Sequence, residues 1–276
     1  MNIHPIETGF FSTDGGAMFG IVSRKVWSGK YPVDDENRCP LAMRILFVDF
    51  GDHKVLFDTG VGLSKVHGME YYKFHDMKNV VVELDLLGYK PSDITDVVLS
   101  HLHFDHCGGS VTPDLNGKLQ PAFPKAIYWA SKKQFNLTYN PSVWESDSYS
   151  PSTVTALQNS GQLRLIESDT ELFAGVKVKL FQGHTDDQLV SYISTPEGIL
   201  IYCGDVIPMS THVMPVCIAA VDNSAEIAVD EKMRLLEEAV KSDSTIFFFH
   251  DVNTQAVKLK NIKGKITVMK KVSLNL

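Results

Sequence analysis

The chain has 276 residues, 44% of them hydrophobic, enough to bury a large core, and a single domain over 1–276 is expected. Its formal net charge of −7 and pI near 5.8 leave no basic surface for nucleic acid or for an anionic membrane. No apolar stretch approaches the roughly 18 residues of a spanning helix. The opening MNIHPIETGF has neither the basic start nor the apolar segment of a secretory signal, so the expected location is the cytoplasm. In that reducing compartment Cys39, Cys107, Cys203 and Cys217, which lack CxxC spacing, are expected as thiols.

Leu41–Phe50 (LAMRILFVDF) and His53–Asp58 (HKVLFD) read as strands joined by the turn Gly51-Asp52, and Asp58-Thr59-Gly60 closes the second. Lys78–Leu87 carries apolar residues at helical spacing and ends at Gly88, a residue suited to a helix C-terminus. Asp96–Ser100 (DVVLS) is a short apolar, β-branched run that reads as a buried strand. Strand and helix then alternate: Ala126–Ala130 as a strand, Ser131–Thr138 and Pro151–Asn159 as helices, and Val176–Phe181, Leu189–Ser194 and Ile199–Cys203 as strands. Val229–Val240 is amphipathic, with Met233, Leu236 and Val240 on one face. Thr245–Phe249 is a further strand, and the segment around Gly264 reads as strands. This is an α/β pattern without repeats or low-complexity linkers.

The strand Asp96–Ser100 runs into HLHFDHCGG, which places His101, His103, Asp105 and His106 within six positions before the turn-forming Gly108-Gly109. Neutral imidazoles and an ionised carboxylate suit a borderline divalent ion, and two of these donors can serve one ion while two serve a neighbour. Three further donors each follow an apolar, strand-like run: His184 in FQGHTDD, Asp205 in IYCGD and His250 in FFFHD.

HxHxDH followed by lone His, Asp and His at strand ends resembles the metallo-β-lactamase superfamily over nearly the whole chain. The resemblance implies an αββα sandwich, two facing mixed sheets flanked by helices. It also implies two divalent ions, zinc first, with manganese or iron also suited to these donors. Carried over residue by residue, His101, His103 and His184 are ligands of a first metal, Asp105, His106 and His250 of a second, and Asp205 bridges them. Asp58 would support the metal histidines from behind. Two such ions supply a hydroxide near neutral pH and polarise a carbonyl or phosphoryl oxygen. Asp105 is also a catalytic candidate, since a carboxylate beside the hydroxide can orient it and carry a proton to the leaving group.

Within the superfamily the chain resembles the branch of N-acyl-homoserine lactonases and related organophosphate and aryl-ester hydrolases. The residues concerned are Met18-Phe19-Gly20-Ile21-Val22 with Trp27, the Asp205 motif GDVIP, and His212 with the helix before His250. One position departs from the pattern. Lactonases of this branch place a tyrosine three residues after the bridging aspartate, and here that residue is Pro208. His212, four residues on, is a second catalytic candidate. His4, His53, His67 and His75 lack ligand spacing and are expected in surface or packing roles.

The expected activity is hydrolysis of an ester or lactone, or of a phosphotriester, in a largely apolar small molecule. A mononuclear iron oxidoreductase of the persulfide dioxygenase kind is the alternative that the same motif leaves open. Three segments are candidate pocket walls: Gly60–Met77 with Tyr71, Tyr72 and Phe74; Tyr139–Pro151 with Trp144 and Tyr149; and Ile207–Ile218 with Met209, His212 and Met214. The aromatic residues of Tyr139–Pro151 suit equally a contact between two copies of the chain, a homodimer.

Overall fold

In the computed structural model, which describes every residue except Ser64, Lys65, His67, Asn275 and Leu276, the apolar runs form strands and the amphipathic runs helices. His67, one of the histidines without ligand spacing, therefore lies outside the described residues. The elements in chain order are β1 (Asn2–Asp14), α1 (Gly15–Phe19), α2 (Arg24–Trp27), β2 (Arg38–Asp49), β3 (Lys54–Phe57), α3 (Val80–Leu86), β4 (Asp96–Val98), α4 (Phe104–Cys107), β5 (Val111–Pro113), β6 (Leu119–Pro121) and β7 (Ile127–Ser131). They continue with α5 (Lys132–Tyr139), α6 (Pro151–Asn159), β8 (Leu163–Ile166), β9 (Thr170–Phe173), β10 (Val176–Phe181), β11 (Gln188–Thr195), β12 (Gly198–Tyr202), α7 (Ala225–Lys241), β13 (Thr245–Phe247), β14 (Ala256–Ile262) and β15 (Lys265–Val272).

The chain divides into two compact units, one of Met1–Phe10 and Met43–Glu167, the other of Phe11–Ala42 and Ser168–Leu274. The sheet characteristic of the first has the strand order β1-β2-β3-β4-β7-β8. β2 and β3 form the antiparallel hairpin, with Leu46 opposite Phe57, and β3, β4, β7 and β8 run parallel. Parallel strands covered on both faces need continuous apolar runs rather than alternation. Val55, Leu56, Phe57, Val97 and Val98 are accordingly all buried. Backbone pairing runs past the ends of β3 and β4, through Asp58 N–H to the Val98 carbonyl at 3.0 Å and Leu99 N–H to the Trp129 carbonyl at 2.9 Å. Asp58 and Ser100 thus leave adjacent strands side by side.

The second unit holds a seven-stranded sheet in the order β15-β14-β13-β12-β11-β10-β9, antiparallel except for the parallel pair β12/β13. Helix α7 lays Leu235, Leu236 and Ala239 onto Phe181, Val190, Ile201, Ile246 and Val257; of the stripe read from the sequence Leu236 is at the centre of this face, while Met233 and Val240 pack against it half-buried.

The ends of the helices follow from their caps. Ser224 accepts from Ile227 N–H, which starts α7 at Ala225, four residues ahead of Val229, where the sequence pattern begins. Asn79 accepts from Val81 N–H at 2.9 Å and starts α3 at Val80, and Gly88 follows its last turn with φ of 86°. β1 does not stand out in the sequence because Pro5, Glu7, Thr8 and Gly9 interrupt its apolar residues. No helix among the described residues is long and apolar enough to cross a membrane.

Candidate metal centre

In the first unit, the turn after β4 gathers His101, His103, Asp105 and His106, all buried. His101 offers a ligand atom within 4.8 Å of one on His103 and of one on His106, and Asp105 and His106 do the same for each other. The backbone geometry requires glycine. A Cβ on Gly108 would stand 2.1 Å from the Val61 carbonyl oxygen, and one on Gly109 would stand 2.3 Å from that of Thr59. The Asp58-Thr59-Gly60 loop lies directly against this turn, with Thr59 N–H donating to the His106 carbonyl at 2.8 Å and Gly109 N–H to that of Gly60 at 2.8 Å.

Asp58, fully buried and left-handed at φ of 61°, organises the donors. Its carboxylate accepts from Ser100 N–H at 2.7 Å, from the Ser100 hydroxyl at 2.7 Å and from His106 Nδ1 at 2.8 Å. Since the Ser100 proton is given to Asp58, its oxygen accepts from His101 Nδ1 at 3.0 Å. A proton on Nδ1 puts the lone pair of both rings on Nε2, the arrangement by which outer carboxylates orient ligating histidines. The supporting role that the resemblance assigns to Asp58 has this geometry. The Cys107 thiol donates to the Leu102 carbonyl at 3.4 Å.

In the second unit, His184, Asp205 and His250 come from separate turns after β10, β12 and β13, and they converge. The two oxygens of Asp205 face different rings, Oδ2 at 3.5 Å from His184 Nε2 and Oδ1 at 3.3 Å from His250 Nε2. Two atoms bound to one ion at about 2.0–2.1 Å in a tetrahedral arrangement stand about 3.3–3.4 Å apart. The spacing and donor types therefore suit a carboxylate shared between two ions.

Both rings are again held at Nδ1, His184 donating to Asp222 Oδ1 at 2.8 Å and His250 to the Ala42 carbonyl at 2.9 Å. Burial raises the Asp222 pKa, and its hydrogen bond to His184 opposes the shift. Glu231 on α7 fixes the approach to His184 by accepting from Gln182 N–H at 2.8 Å and Gly183 N–H at 2.9 Å. Asp222 and Glu231 carry no motif in the sequence. Each acts on a histidine turn from far along the chain.

The catalytic candidates part company. Asp105 lies in the cluster, with Oδ2 3.7 Å from His106 Nε2. His212 turns into the protein: Nε2 donates to the Met18 carbonyl at 2.8 Å and the ring stacks on Phe19. Burial lowers its pKa to about 3, so at neutral pH it is an uncharged ring tying down the Met18-Phe19 segment.

Of the three candidate wall segments, the first brings Tyr72 onto Phe104, the neighbour of Asp105, with ring centroids 5.3 Å apart, beside Tyr71 and Phe74. The second turns Val143 and Trp144 outward but buries Tyr149 edge-on against His103 at 5.2 Å. The third buries Met209 and His212, and Lys232 of α7 braces it by donating to the Met214 and Cys217 carbonyls at 3.1 and 2.6 Å.

These features belong to a known class. Residues 44–250 match the metallo-beta-lactamase superfamily, and the chain is a member of that family, with its mixed α/β fold of sheets flanked by helices. Among its relatives, an N-acyl homoserine lactonase of Bacillus cereus is 25% identical over 214 residues, 73% of this chain and 78% of the lactonase. A probable metal-dependent hydrolase from Staphylococcus aureus has the same fold, with a TM-score of 0.86 at 23% identity over 99% of this chain and 98% of that one. AidC, a dizinc quorum-quenching lactonase, superposes with a TM-score of 0.75 at 20% identity over 99% and 98% of the two chains.

Proposed function

We propose that this chain is a hydrolase that uses two divalent ions, zinc first, to cleave an ester or lactone bond in a largely apolar small molecule. His101, His103 and His184 would hold one ion, Asp105, His106 and His250 the other, and Asp205 would bridge them. The observation that carries the reading is the splayed Asp205 carboxylate, with one oxygen at ligand spacing from His184 and the other at ligand spacing from His250. The family and the lactonase relatives support it.

Bound ions supply Lewis acidity and lower the pKa of water at the site. The chain's own residues do the rest. Asp58 and Ser100 fix the His101 and His106 rings in one tautomer, so the donor set is organised in advance. Asp105 holds the proton released from the attacking water and returns it to the leaving oxygen. Tyr72, Phe74 and Phe104 form an aromatic surface next to Asp105 that suits an apolar acyl or aryl group. Pro208 supplies no hydroxyl where related lactonases carry tyrosine, which favours aryl esters and simple lactones over acyl-homoserine lactones as first substrates.

Protein purified without chelator is expected to turn over a nitrophenyl ester or a simple lactone. A single iron per chain, with oxygen consumption on a thiol substrate and no ester turnover, would overturn this function.

A further inference from the structure

We propose that the second unit carries an anion site, beside the segment that follows His250, which takes the phosphomonoester of a small apolar molecule. None of the proposed metal ligands lines it, so the inference goes beyond the two-ion reading and does not depend on it.

The site is a cavity of about 680 Å³, within the range of roughly 300–1,000 Å³ usual for small-molecule sites. Tyr31 and Asp251 set its position, since both line it and the Tyr31 hydroxyl accepts from Val252 N–H at 3.1 Å. Lys30, Lys265 and Lys271 also line it, and among the described residues Asp251 is its only acidic member. That carboxylate is fully buried and already engaged. Oδ2 accepts from the Ser210 N–H at 2.9 Å and from the Ser210 hydroxyl at 2.5 Å, and Oδ1 accepts from Asn253 N–H at 2.8 Å. The three lysines are exposed, and among the described residues none of them forms an ion pair. Lys271 donates only to the Asn253 carbonyl, at 3.4 Å, while the Lys30 and Lys265 ammonium groups have no protein acceptor there. In a chain of net charge −7, three uncompensated cations around one concavity focus a positive potential into it.

The backbone of β15 is shaped to the same end. This strand closes one side of the sheet, where exposed lysines deter pairing with another chain. A bulge does more than that. Val268 pairs with Leu259 and Lys270 with Lys258, which leaves Met269 as an extra residue between them. Strict alternation would set Lys271 on the face opposite Ile266 and Val268, and the extra residue returns it to theirs. Ile266 and Val268 line the cavity too, as do Val213 and Met214 from the segment after Asp205. Lysine ammonium groups are common point-charge partners of phosphate, and a dianion answers three cations better than a monocarboxylate does. The apolar wall beside them suits the alcohol part of the ester.

The test titrates phenyl phosphate and, separately, benzoate into the full chain by calorimetry at low salt. The same titrations are made on the triple variant Lys30→Gln, Lys265→Gln, Lys271→Gln and on a charge control, Lys90→Gln, Lys118→Gln, Lys125→Gln, whose lysines lie in the first unit. We expect phenyl phosphate to bind more tightly than benzoate, and its affinity to fall as salt is added. The first triple variant should lose roughly 10–100-fold in that affinity, the control should bind as the wild type does, and both should melt near the wild type because the substituted side chains are exposed. No binding of phenyl phosphate by the wild type would overturn the proposal, as would binding that survives in the first triple variant or falls equally in both. Benzoate bound as tightly as phenyl phosphate would overturn the assignment of a phosphate ester.

Discussion

Four donors of the first unit come from six consecutive residues, whereas the three of the second come from three turns far apart in the sequence. The consecutive set needs little beyond a close fit of backbone on backbone, where Thr59 and Val61 leave no room for a side chain on Gly108 or Gly109, and one carboxylate, Asp58, behind two of its rings. The dispersed set needs an anchor for each ring. Asp222 and Glu231 serve His184 and its turn, and the Ala42 carbonyl serves His250. A local cluster concentrates its dependence in one residue; a dispersed one spreads it over packing contacts.

That contrast predicts unequal responses to mutation. The largest effect is expected at Asp58, where Asp58→Ala leaves the Ser100 and His106 donors without their shared acceptor. We expect a loss of about 3–5 kcal/mol in unfolding free energy by urea titration, together with loss of metal. A loss below about 1 kcal/mol would mean that the first cluster is held by its glycine turn alone. A smaller effect is expected in the second unit from Gly183→Ala, whose Cβ would lie 2.4 Å from Ala228 Cα and push α7 from the His184 turn. The expected cost is about 1–3 kcal/mol, with weakened metal binding measured by chelator competition. Wild-type stability in that variant would contradict the dependence of His184 on helix packing.

The smallest effect depends on pH. Burial depresses the His212 pKa from its ordinary 6.5 to about 3, so its contribution to stability is fully present above about 6.5 and is lost as pH falls toward 3. In His212→Phe the ring stack on Phe19 is kept and the titration is removed. The variant should be about 1 kcal/mol less stable at pH 7, and the deficit should shrink on acidification. A deficit that stays constant from pH 7 to pH 4 would count against a buried, neutral His212.

What the sequence discloses follows the same division. HLHFDH is legible because all its donors lie within one turn, and Asp58 because Asp-Thr-Gly ends the neighbouring strand. His184, Asp205 and His250 are legible as polar residues ending apolar runs, although nothing local says that Asp205 turns one oxygen to each ring. Asp222 and Glu231 leave no trace, since each acts through a contact made only when distant elements pack. His212 has the residue type of a catalytic group, and only its contact with the Met18 carbonyl shows the ring facing inward. Tyr149 belongs to a segment that reads as a pocket wall or a dimer contact, yet the structure buries it against His103.

The central claim is that Asp205 bridges two ions, and the most direct test is the metal content of wild type and Asp205→Ala, both purified without chelator. The account predicts two ions per chain in the wild type, and loss of metal together with esterase activity in the variant. Two ions retained in Asp205→Ala would contradict it.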